Sequence, residues 1–155
     1  MALTVVIGPP ASGKSTWCLE HAKPGDVVID FDRLAVALTG AGGDPHDHAA
    51  AVTTVARAAR TAAIEAAVKL AGNVDVYLIH SSPGRDRMQR YLELGARIEV
   101  VDPGRDVVRE RCKRERPQRM FAVIDEWYRE RASQPVPAVS SPPVFAFPAT
   151  TSRDW

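Results

Sequence analysis

Gly8-Pro9-Pro10-Ala11-Ser12-Gly13-Lys14-Ser15 fits the pattern G-x-x-x-x-G-K-[ST] at every position. That spacing is the signature of a loop that cradles phosphates. Glycine lets the backbone approach anionic oxygens closely. Successive N–H groups at the start of a helix attract the anion. Gly8, Pro10, Ala11, Ser12, Gly13, Lys14, Ser15 and Thr16 are therefore read as the nucleotide-binding residues. Lys14 is expected to reach the β- and γ-phosphates of ATP, and the Ser15 hydroxyl to hold Mg²⁺. A glycine-rich turn with a surface lysine is the bland alternative. The flanks argue against it: residues 3–7 read as a short buried strand and residues 16–22 as the first turns of a helix.

Two carboxylates follow the next apolar run, in Asp30-Phe31-Asp32-Arg33. Beyond a strand end, a carboxylate can accept the proton of an attacking hydroxyl or hold water around Mg²⁺. Asp32 is the general-base candidate. Asp30 supports the metal shell or caps the next helix, where aspartate is favoured anyway. Arg33 is a candidate for the acceptor. An arginine-rich run spans residues 105–119, and guanidinium forks match the oxygens of a transferring phosphoryl group. Arg111 and Arg114 are the candidates to close over the nucleotide, with Lys113 and Arg116 as alternatives. His80-Ser81-Ser82-Pro83-Gly84-Arg85-Asp86-Arg87 follows a third apolar run. Ser81, Ser82, Arg85 and Arg87 could bind the acceptor or a phosphate on it, and His80 reads equally well as a structural histidine. His46-Asp47-His48 lies in a glycine-rich stretch and reads as solvated rather than metal-binding. Cys18 and Cys112 lack metal-ligand spacing, and Cys18 reads as a small buried apolar residue.

The elements that would position these groups alternate. Strands are expected at residues 3–7, 26–30, 74–79 and 97–101. Helices are expected at 33–38, 47–71, 85–94, 106–114 and 120–132, besides the one after the loop. The long alanine-rich helix shows Val52, Val55, Ala59, Ala62 or Ala63, Ala66 and Leu70 near helical spacing. Alternation of this kind predicts an α/β fold with a mostly parallel central sheet, here the three-layer arrangement of P-loop NTPases. Sites in such sheets lie at the carboxyl ends of the strands. Residues 8–15, 30–33, 80–87 and 102–105 should therefore converge along one edge.

Residues 1–132 read as one domain and 133–155 as an extended proline-rich tail. Within the tail, Val144-Phe145-Ala146-Phe147 is apolar enough to dock on the domain or a partner. The chain has 155 residues and a formal net charge of +1, so bulk charge gives no argument for a nucleic-acid partner. No apolar run is long enough to span a bilayer, and the chain enters a strand at once, so a cytoplasmic protein without a signal peptide is expected. No guanine-reading Asn-Lys-x-Asp motif is apparent, which makes ATP the default nucleotide.

The chain resembles the P-loop kinases of the polynucleotide kinase type over roughly residues 1–131. The similarity runs through Ile7 to Trp17, Ile29-Asp30-Phe31-Asp32-Arg33, Arg109-Glu110-Arg111-Cys112-Lys113-Arg114 and the aromatic pair Trp127-Tyr128. The related phage kinases of hydroxymethylated pyrimidines look similar at this level. The resemblance implies a general-base role for Asp32, a lid helix around Arg111, and a 5′-hydroxyl or hydroxymethylated base of a nucleic acid or nucleotide as acceptor. Two positions depart from the pattern: Ala35 stands where the family has an acceptor-binding arginine, and Ser81 where it has an aspartate. Kinases of small metabolites share the Asp-x-Asp pattern. A nucleotide-binding interaction protein without transferase activity is the reading from another class.

Overall fold

Among the described residues all four strands run in the same direction, so no hairpin joins any pair and every connection between them crosses over the sheet. The structure is a computed structural model that describes residues 2–133. Its strands are β1 (Leu3–Ile7), β2 (Val27–Ile29), β3 (Val76–His80) and β4 (Arg97–Val100), in the order β2-β3-β1-β4. The helices are α1 (Lys14–His21), α2 (Phe31–Leu38), α3 (Ala50–Leu70), α4 (Arg85–Glu93), α5 (Arg105–Glu115) and α6 (Met120–Ser133). Leu3 pairs in register with Val76, and Ile7 with both His80 and Val100. The P-loop therefore leaves the sheet level with the carboxyl ends of β3 and β4.

The period of two along each strand divides the core into two layers. Leu3, Val5, Val76 and Leu78 pack with Ala67 of α3 and Tyr91 of α4. Val6, Tyr77 and Ile79 point the other way, against Cys18 of α1. A third cluster of Val108, Cys112 and Ile124 joins α5 to α6 and touches Ala11 of the loop. Val5, Val6 and Leu78 are fully buried, each contributing about 1.5–3 kcal/mol by leaving water. Cys18 is buried and free, as its position on an apolar face suggested, and burial pushes its thiol up to about 12. Helices on both faces of a parallel sheet give the expected three-layer α/β architecture.

Several boundaries differ from those expected. β2 is only three residues long and half-buried, because it is an edge strand. α2 starts at Phe31, since Asp30 caps it. α6 runs through Ser133, one residue beyond the helix expected at 120–132. The tail motif at 144–147 lies outside the described residues. α3 begins at Ala50 rather than 47, and its buried face is shifted. Ala56 and Ala67 are buried, whereas Val55 and Leu70 are 54% and 47% exposed. α2 packs against α3, and their fully buried residues are alanines, Ala35 and Ala56. Close helix approach favours the small side chain over valine. Among the described residues, no helix is long and apolar enough to cross a membrane.

Candidate active site

The loop after β1 is shaped for a ligand that touches backbone. A Cβ on Gly8 would stand 2.2 Å from the Val101 carbonyl oxygen and 2.8 Å from Ser12 Oγ, so only glycine fits. Gly13, at φ 98°, takes the left-handed turn into α1, and Ala11 also has a positive φ of 60°. Lys14 is buried and folds back over its own loop. Its Nζ donates to the Gly8 carbonyl at 2.9 Å and the Pro9 carbonyl at 2.7 Å. Burial, then the nearby Arg116 charge, lower its pKa to about 8. Ser12 Oγ is buried and has no hydrogen-bond partner among the described residues. An orphaned hydroxyl, a cation held only by carbonyls and a helix N-terminus suit a phosphate chain.

Ser15 joins this loop to β2. Its Oγ donates to Asp30 Oδ2 in a short hydrogen bond. The other oxygen, Asp30 Oδ1, accepts from the Asp32 N–H at 3.1 Å and caps α2. The two readings left open for Asp30 are compatible, because one carboxylate caps the helix and faces the P-loop serine. Ser15 and Asp30 supply oxygen atoms of the type that suits Mg²⁺.

Asp32 sits in the first turn of α2 and is surrounded. Arg116 Nη1 donates to Oδ2 at 2.6 Å, His46 Nδ1 lies 3.0 Å from Oδ2, and His48 Nε2 lies 3.3 Å from Oδ1. Burial acts to raise its pKa. The Arg116 hydrogen bond and charge, with His46, outweigh that and hold the carboxyl below its ordinary value. The carboxylate is thus ionised at neutral pH. The two histidines do not stand in solvent as expected, and the His48 side chain is 5% exposed. Its ring also meets Phe31 edge-on at 5.9 Å.

The arginine-rich segment splits three ways. Arg111 Nη1 reaches the Ser12 carbonyl at 3.4 Å, beside the loop. Arg114 pairs with Glu110 on the outer face of α5 and is not brought to the loop. Arg116, kept in the sequence reading only as an alternative to Arg111 and Arg114, is brought to Asp32 instead. It ends α5 in an extended conformation, φ −134° and ψ 151°. The signal was Pro117, because a residue before proline is driven out of the helical region and its side chain leaves the helix face.

The β3 end is partly tied up. Trp127 Nε1 donates to the Ser81 carbonyl at 3.1 Å, and Ser82 Oγ donates to Glu130 at 3.2 Å. Tyr128 donates to Asp102 at 2.6 Å, so α6 straps the ends of β3 and β4 together. Arg33, Arg85 and Arg87 are exposed. His80 is buried between two partners. Its Nδ1 accepts from Arg60 Nη2 at 3.2 Å, and its Nε2 lies 3.0 Å from the Tyr91 hydroxyl. Burial and the charges of Arg60 and Arg87 lower its pKa to about 3, so it is neutral and structural. Among the described residues no group of three or more histidine, cysteine or acidic side chains could hold a metal ion.

A family match agrees with this geometry. The AAA_33 family model, described as an AAA domain, matches residues 3–134. Among solved structures, the tunicamycin resistance protein of Deinococcus radiodurans is 22% identical, with 84% of this chain and 81% of that chain covered and a TM-score of 0.47. No curated protein matches. A parallel sheet, a P-loop at the end of its central strand β1 and a family match over almost every described residue agree: the chain belongs to the AAA_33 family and is a P-loop nucleotide-binding domain of kinase-like type.

Proposed function

We propose that the protein is an ATP-dependent kinase of the polynucleotide kinase type, transferring the γ-phosphoryl group to a hydroxyl of a nucleic acid or nucleotide. One observation carries the reading. An ionised carboxylate, Asp32, stands two residues beyond Asp30, which is itself bonded to the P-loop serine. A phosphate site and a proton acceptor are thereby fixed to each other through two side chains.

In the proposed reaction, Lys14 leaves the Gly8 and Pro9 carbonyls for the β- and γ-phosphates. The loop amides hold the phosphates in line. Ser15, supported by Asp30, would hold Mg²⁺, which when bound neutralises charge on the β- and γ-oxygens. Asp32 accepts the proton of the acceptor hydroxyl as the new O–P bond forms. The bond from γ-phosphorus to its bridging oxygen breaks, and ADP leaves with the electron pair. Arg116 must release Asp32 for this step. Arg116 and Arg111 then face the transferring oxygens, whereas Arg114 stays with Glu110.

The test uses γ-labelled ATP, Mg²⁺ and a panel of 5′-hydroxyl DNA, 5′-hydroxyl RNA, hydroxymethyluracil DNA and free nucleosides. Label is expected on one acceptor class. It should disappear in Lys14→Ala, which loses ATP binding, and in Asp32→Asn, which keeps ATP binding. Full transfer by Asp32→Asn refutes the base assignment. A second reading, the same chemistry on a small metabolite, draws on the enclosure of Asp32 by His46, His48 and Arg116. Acceptor affinity independent of salt would favour it, since groove binding to DNA or RNA releases counterions. Tight ATP binding with no labelled product on any acceptor would instead mark a non-catalytic nucleotide-binding module.

A further inference from the structure

Arg60 of α3 carries a charge for which the described residues supply no counterion. Its Nη2 donates to the Ile79 carbonyl at 2.5 Å and to His80 Nδ1 at 3.2 Å. Its Nε is buried without a partner, and Nη1 makes no hydrogen bond among the described residues. No carboxylate lies within ion-pair distance of it there. Asp30 acts on it only at longer range, and is already engaged by Ser15 and the Asp32 N–H.

Half-buried cations without a carboxylate are costly, and folded proteins seldom leave one so. The surroundings make the omission specific. The group facing Arg60 is His80, an imidazole that accepts through Nδ1 and therefore bears its proton on Nε2, toward Tyr91. A neutral acceptor holds the guanidinium in place and leaves its charge unspent. The place also matters. β3 lies between β1, which feeds the P-loop, and β2, which feeds Asp30 and Asp32. Ile79 and His80 end β3, and His80 is the register partner of Ile7, one residue before Gly8. The head of Arg60 is thus held at the strand end between the phosphate loop and the carboxylate pair.

We infer that Arg60 determines acceptor specificity by pairing with an anionic group, a phosphate on the molecule whose hydroxyl receives the phosphoryl group. This rests on the kinase reading above. It assigns the acceptor contact to α3, a helix none of the sequence motifs touched. A neutral polyol would leave the guanidinium uncompensated, while a phosphate would engage Nη1 through a charge-assisted hydrogen bond.

The experiment compares adenosine, adenosine 3′-monophosphate and a 5′-hydroxyl oligonucleotide as acceptors for wild type, Arg60→Gln and Arg60→Lys, at two salt concentrations. Wild type is expected to show a KM for the phosphorylated acceptors about ten- to a hundredfold below that for adenosine. Arg60→Gln should bring that ratio near one, and Arg60→Lys should keep most of it. A larger gain for the oligonucleotide, steep in salt, assigns the phosphate to a nucleic acid, and equal gains assign it to a nucleotide. A ratio that Arg60→Gln leaves intact overturns the inference, as does an equal loss in both Arg60→Gln and Arg60→Lys, which would mark a structural role.

An equilibrium arm separates this from failure of the kinase reading. Inorganic phosphate is titrated calorimetrically into each protein with the P-loop filled by a non-hydrolysable ATP analogue. Phosphate binding weakened about tenfold in Arg60→Gln and held in Arg60→Lys supports the anion site even if no acceptor is labelled. Absent binding, or binding indifferent to the glutamine, overturns it.

Discussion

Lys14 and Asp32 are both engaged by the protein itself, and each engagement sets a measurable pH response. The free Lys14 ammonium has its pKa lowered to about 8, chiefly by burial. Phosphate contact needs the charged form, so ATP affinity should be steady well below pH 8 and weaken as pH rises through about 8. A calorimetric series should show about a tenfold loss between pH 7 and pH 9. Flat affinity across that range would mean the lysine stays charged when free. Asp32 has the opposite setting. Its folded pKa lies below the unfolded one, so its contribution to stability is complete above the unfolded value and is lost as pH falls through the folded one. Arg116→Ala should move the Asp32 carboxyl upward toward the ordinary carboxylate range, read as the midpoint of its ¹³C shift. Of these side chains, Lys14, Ser15, Asp30 and Asp32 were legible because the P-loop pattern and the end of a strand specify them. Arg116, His46 and His48 were not, because their positions depend on a helix ending at Pro117 and on a loop folding back over α2.

Among the elements, the strands and the helix after the P-loop follow from local pattern, while α3 shows where pattern fails. Its alanines recur on every side, so helical spacing alone fits more than one face. In this helix, which packs against α2, the face with Ala56 is buried and the one with Val55 is exposed. This is open to a paired substitution. Ala56→Leu should destabilise the fold by about 1–3 kcal/mol through overpacking. Val55→Ser, on the exposed side, should stay within about 0.5 kcal/mol of wild type. Thermal or denaturant unfolding reads both, and equal effects would contradict the observed rotation of the helix. The same placement of α3 brings Arg60 to the end of β3, so a helix with no motif supplies a candidate acceptor contact.

At the scale of the molecule, alternation of strands and helices made the three-layer α/β class legible, along with the convergence of four loops on one sheet edge. Strand order was not legible, since it arises from which crossovers pack best and not from any residue type. That order has a consequence for how the chain is made. Leu3 to Ile7 find their register partners only at Val76 to His80 and Arg97 to Val100. While a ribosome is still adding residues before Val76, β1 is an apolar segment with no strand to pair with, and α1 has no sheet face to cover. A fragment ending at Asp75 should therefore show helical but no cooperative unfolding by circular dichroism, whereas one ending at Ser133 should unfold in a single transition. The phosphate loop, translated well before β4, acquires its shape only when the Val101 carbonyl arrives beside Gly8. During synthesis the nascent chain carries a recognisable nucleotide motif long before it can hold a nucleotide.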